Sequence, residues 1–72
     1  VATRKPKPWA VICATPDGPL RTEHTSETKA YQAAYAEREA RVAGTSQATE
    51  VWIEQWKPRQ DHWVYHDGIY RD

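Results

Sequence analysis

Trp9 to Ala14 (WAVICA) is a short apolar run rich in β-forming residues, and it predicts a strand. Thr15-Pro16-Asp17-Gly18-Pro19 then breaks the pattern. Pro16 presets φ for the first turn position, Asp17 suits the second, and Gly18 can take positive φ, so a hairpin turn is expected. Leu20 to His24 returns as the second strand. From Glu27 to Ala43 the run is dominated by Ala, Glu, Arg and Gln, all good helix formers. Thr25 and Ser26 are candidate caps, Glu27 sits where the helix dipole favours an anion, and Gly44 suits a left-handed stop. Such a helix is about 26 Å long. Its expected inward face is Ala30, Tyr31, Ala34, Tyr35, Arg38 and Val42, with Arg38 laying its stem along the edge. After a loop over 45–48, Val51 and Ile53 point one way while Glu50, Trp52 and Glu54 point the other, which is a strand. Residues 58–61 form a turn. His62 to His66 (HWVYH) is the fourth strand. Asp67-Gly68 is a further hairpin signal, with at most a stub strand over 69–71.

The order ββαββ suggests its own topology. Strand one runs up and strand two down, the helix returns up, strand three runs down and strand four up. Strand three beside strand one completes a fully antiparallel sheet, whereas beside strand two it makes a parallel pair. Antiparallel pairs are the commoner kind. The expected fold is therefore α+β, a four-stranded antiparallel sheet in the order 2-1-3-4 with one helix across one face. By side-chain parity, Val11, Cys13, Leu20, Val51, Ile53 and Val64 face the helix. The opposite face carries Ile12, Arg21, Glu23, Trp52, Glu54, Trp56, Trp63 and Tyr65.

Length changes the picture by limiting the core. A chain of 72 residues supports one domain, here 9–72, preceded by a flexible, basic, Pro-rich arm over 1–8 (VATRKPKP). A core of this size supplies only about 3–5 kcal/mol of net stability. Cys13 is the only cysteine, so no internal disulfide can add to it. Efficient packing or self-association is left. Ten basic and ten acidic residues cancel, which removes the usual electrostatic case for a nucleic-acid binder or for an acidic membrane surface. No run approaches the ~20 apolar residues of a membrane span, and the default location is cytoplasmic.

Catalytic and metal chemistry find few candidates. Gly18, Gly44 and Gly68 all have turn or helix-stop roles, so none is left for a phosphate-cradling loop. His62 and His66 lie about 13 Å apart in an extended strand, too far to share one metal. A Cys13–His24 nucleophile across the first hairpin is imaginable, but an apolar strand favours a buried, unactivated thiol. The reading is of no enzyme, no cofactor and no metal site.

Four Trp and four Tyr, with no Phe and no Met, are the strongest compositional signal. On an uncovered sheet face they either wrap the rim of a small core or form an interaction patch. Trp52, Trp56, Trp63, Tyr65 and Arg21 are the expected binding residues. Aromatics on an open sheet can stack bases, but Glu23, Glu50 and Glu54 share that face and repel phosphates. The expectation is a non-catalytic protein-binding or regulatory module, whose partner is another protein or a second copy of the chain. The alternative is a small DNA-binding regulator, binding weakly through its sheet and arm with Arg4, Lys5, Lys7 and Arg21.

The stretch from Trp9 to Arg38 (strand, Asp17-Gly18 turn, strand, Thr25, Ala30, then an Ala/Glu/Arg helix) resembles the arm-site DNA-binding domain of phage-type tyrosine integrases. That resemblance implies a sheet that enters a DNA groove. The chain departs from the family in adding two strands after the helix and in having only Arg21 as a basic residue within 20–24. As a whole, in size, Ala/Arg/Thr usage and its WxV…DG…A-Y pattern, it also resembles the small uncharacterised proteins of actinobacterial phages and their hosts. That likeness implies an accessory or regulatory role.

Overall fold

The computed structural model describes residues 5–72; Arg4 of the expected basic arm lies outside them. Strand β1 (Trp9–Thr15) and strand β2 (Gly18–His24) form the first hairpin. Gly18 takes φ +116 in its turn, a backbone that side chains rarely tolerate. Helix α1 (Glu27–Val42) follows. Ser26 caps it in extended geometry, its hydroxyl accepting from the Lys29 amide at 3.2 Å. At the other end Gly44 sits at φ +83. Its amide donates to the Arg41 carbonyl at 3.1 Å and the Thr45 amide to the Ala40 carbonyl at 2.8 Å. This bond pair is the Schellman stop that a glycine after a helix makes possible.

Strand β3 (Glu50–Lys57) and strand β4 (His62–Arg71) complete an antiparallel sheet in the order β2-β1-β3-β4, the expected topology. Both strands outrun expectation. Asp67-Gly68 does not turn the chain: β4 continues through it to Arg71. Pairing moves from Glu54↔Tyr65 to Ile53↔Asp67 and from Trp52↔Gly68 to Val51↔Tyr70, so His66 and Ile69 are extra residues in two bulges. Gly68 has another use. A Cβ there would run into the Tyr65 hydroxyl, whose side chain lies across it. The expected turn at 58–61 is present, with Asp61 at φ 55 and its amide bonded to the Lys57 carbonyl at 2.8 Å.

The core lies between helix and sheet: Val11, Cys13, Ala30, Ala34, Ala48, Val51 and Ile53, with Trp9, Tyr31, Ile69 and Tyr70 around it. The helix meets this core through Ala30, Tyr31 and Ala34 as expected, but its C-terminal half turns a different side inward. Ala30 and Ala34 are fully buried, and Glu37 and Arg41 continue the stripe at its edge. Tyr35, Arg38 and Val42 point outward, Val42 with 76% exposure. The physical reason is close approach. A helix lying on Val11, Val51 and Ile53 through Ala side chains has no room for a Tyr beneath it. Leu20 keeps its expected parity opposite Cys13 but remains 60% exposed on the β2 edge.

Candidate functional site

The sheet face away from the helix is built from all four strands, and β1 contributes Ala10 and Ile12 there. Ala10 stands between Glu23 of β2 and Glu54 of β3, and Ile12 between Arg21 and Trp52. Because Ala10 has no long side chain, Arg21 can cross the sheet diagonally above it. Its guanidinium reaches Glu54 at 3.2 Å and Glu23 at 3.8 Å. It also lies over the Trp63 ring, 4.4 Å from the centroid. Glu54 is the hub of this layer: one carboxylate oxygen accepts from Arg21, and the other accepts from the Trp52 indole N–H at 3.0 Å. Trp56 and Trp63 pair directly across β3 and β4, edge to face, with centroids 5.5 Å apart. Tyr65, beside this layer, is 62% exposed.

The face is therefore neither bare nor fully closed. Ala10 and Ile12 are buried beneath it without any helix, covered by aromatic and guanidinium planes. Trp52 and Trp63 are half-buried, and Tyr65 and Arg21 are exposed. Trp56 departs from its expected role as a contact residue. It is 8% exposed, with the Lys5 ammonium 4.4 Å from its ring centroid and Trp63 against it. Sequence parity places the aromatics on this face but gives no sign of the network, since Arg21 and Glu54 are 33 residues apart.

The described part of the arm meets this face only at its Trp56 end. Lys5 covers Trp56, and the Pro8 carbonyl accepts from the Trp56 amide at 2.7 Å. Lys7 is exposed. The nucleic-acid set of the alternative reading is thus divided: Arg21 is engaged by two carboxylates, whereas Lys5 stands at the far end of β3.

On the helix side, Cys13 is 7% exposed and its thiol donates to a Glu37 carboxylate oxygen at 3.8 Å. Burial, reinforced by the charge and hydrogen bond of Glu37, pushes the thiol up to about 11. A thiol so raised is a poor nucleophile near neutral pH. His24 turns to the Thr22 hydroxyl at 2.9 Å, not to Cys13. His62 and His66 also part company. The His62 ring meets the Gln60 carbonyl at 2.9 Å, while bulged His66 meets Glu27 at 3.0 Å and packs edge-on to Trp9 at 4.8 Å. Beside it, the Tyr31 hydroxyl donates to Asp67 at 2.8 Å, and that bond pushes the phenol up to about 12. This cluster ties the helix start to the first bulge of β4.

Among the described residues, no group of three or more His, Cys, Asp or Glu side chains is placed to hold a metal ion. None of the helices they form is long and apolar enough to cross a membrane. No protein-family model, curated protein or solved structure matches the chain.

Proposed function

We propose that the chain is a non-catalytic binding module that engages protein through its open sheet face, and that the occupant this face fits best is a second copy of itself. The observation that carries the reading is the Arg21–Glu54–Trp52–Trp63 layer. Its rings and charges are held in fixed positions by their own contacts, so little side-chain freedom is lost on docking. Half-buried indoles within matched charges resemble the make-up of a protein interface, aromatic and Arg-rich at its centre and polar at its rim. A face that carries both signs of charge suits self-association under a two-fold axis. Zero net charge places no long-range repulsion between copies.

Face-to-face docking also agrees with the sheet edges. On β2, Pro19 provides no N–H, and Arg21 and Glu23 line the strand; on β4, two bulges interrupt the ladder. Both devices discourage edge-to-edge strand addition. The non-catalytic part of the reading rests on Cys13, held as a neutral thiol, and on three histidines with separate partners.

Sedimentation velocity over a range of concentrations tests the proposal. The wild-type chain is expected to shift from monomer towards dimer as concentration rises. Tyr65→Ala, which removes an exposed ring and touches no core residue, is expected to remain monomeric and folded. A wild-type chain that stays monomeric throughout, or a Tyr65→Ala variant that dimerises as strongly, contradicts it.

A further inference from the structure

A second surface lies at the end of the molecule where the arm meets the β3–β4 turn. An open cleft of about 560 Å³ is bounded there by Lys5, Trp56, Lys57, Pro58, Arg59 and Gln60. With Gln55 the lining comes to seven residues, and three of them are cations. Among the described residues, no carboxylate lies within ion-pair reach of Lys5, Lys57 or Arg59. Lys5 is held in place, its ammonium over the Trp56 ring at 4.4 Å and the arm tied to β3 through the Pro8 carbonyl.

The zero net charge conceals this asymmetry. Lys5, Lys7, Lys57 and Arg59, four of the ten cations, belong to 5–8 and 57–61, whereas Asp61 is the only one of the ten carboxylates in those two segments. Elsewhere Arg21 pairs with Glu54 and Arg41 with Asp72. Lys5, Lys57 and Arg59 therefore gather positive charge at the cleft.

We propose that this cleft binds the sugar–phosphate backbone of a nucleic acid, without reading its sequence. Lys and Arg side chains only donate hydrogen bonds, which suits an all-acceptor backbone. An acidic peptide fits less well, because its amides need acceptors. The main-chain acceptor at the strand end is already spent: the Lys57 carbonyl accepts from the Gln60 amide at 3.0 Å and the Asp61 amide at 2.8 Å. Base stacking does not contribute either: Trp56 is 8% exposed between Lys5 and Trp63. Contact is thus with phosphates, from cations on two chain segments that converge on an open, elongated ligand. This cleft adjoins the proposed protein-binding face through the Trp56–Trp63 contact, but Lys57 and Arg59 take no part in the Arg21–Glu54–Trp52–Trp63 layer, so the double variant tests the cleft apart from that face.

Fluorescence anisotropy with a labelled 20-base-pair duplex tests it, run at concentrations where the chain is monomeric. With about 0.9 of log–log salt slope per neutralised phosphate, three contacts give a fall of about fortyfold in affinity between 50 and 200 mM salt. The double variant Lys57→Gln/Arg59→Gln is expected to lower that slope by about 1.8. Lys29→Gln, an exposed helix position, is expected to leave it unchanged. Melting curves of all three proteins check that the fold is intact. A duplex is expected to bind at least as tightly as a single strand of equal length, and two unrelated sequences to bind alike. The proposal is overturned if the double variant keeps the wild-type slope, or if Lys29→Gln lowers it equally. It is also overturned if an oligo-glutamate of matched charge binds as tightly as the duplex, or if single strands are strongly preferred.

Discussion

Cys13 and Glu37 meet where β1 passes under the helix, and their contact gives an alkaline signature. The thiol rises from 9.0 to about 11 because the buried site disfavours the thiolate. The folded chain then holds a proton that the unfolded chain releases, so this stabilisation is complete below about pH 9 and is lost as pH rises through about 11. Thermal melts across that window are expected to show a falling Tm that Cys13→Ala flattens; an identical pH slope in the variant contradicts the assignment. The same thiol is expected to resist labelling by an alkylating reagent in the native protein and to react once unfolded. Two tryptophans give a sharper contrast. Trp56 is almost fully buried, so Trp56→Ala is expected to cost about 3–5 kcal/mol and to unfold a domain of this size. Trp52 is half-buried, and Trp52→Ala is expected to retain its far-UV circular dichroism while weakening self-association. Loss of folded signal in Trp52→Ala places that ring in the core instead.

Helix α1 shows what the sequence pattern can and cannot convey. Its start and stop are legible: Ser26 before Glu27 and Gly44 after the last turn are residue types whose backbone chemistry admits few other roles. Ser26→Ala is expected to lower stability by about 1 kcal/mol in chemical denaturation. The inward stripe is less legible, because Ala, Glu and Arg recur in every register of 27–43 and no apolar seam stands out. Tyr35 and Val42 look like core residues by type yet face solvent, while Glu37 and Arg41 lie nearer the sheet through bonds to Cys13 and the Ala48 carbonyl. Enlarging Ala34 separates the two stripes: Ala34→Leu is expected to cost about 1–3 kcal/mol by overpacking, and Val42→Gln no more than about 0.5 kcal/mol. Strand β4 was illegible for another reason. A bulge adds one residue without any local composition of its own, so Asp67-Gly68 reads as a turn although Tyr65 lies across Gly68 within a continuing strand.

At the scale of the molecule, strand order followed from the direction of four strands and one return helix, a constraint that needs no side-chain detail. The placement of Trp52, Trp56 and Trp63 on the open face followed from alternation alone. The Arg21–Glu54–Trp63 layer did not, since it depends on Ala10 leaving a path across the sheet and on partners far apart in sequence. That layer makes the open face a preorganised surface, and Glu54 holds both its cation and its indole. Glu54→Ala is expected to cost folding no more than about 1 kcal/mol, as for a partly exposed ion pair, while releasing Arg21 and Trp52 and weakening association by more. The most direct measurement is a dilution series followed by backbone amide NMR. Dilution is expected to shift the amides of Arg21, Trp52, Trp63 and Tyr65 together, leaving the outer helix face at Tyr35 and Val42 unmoved. Shifts centred on the helix, or no concentration dependence anywhere, contradict the open face as the site of self-association.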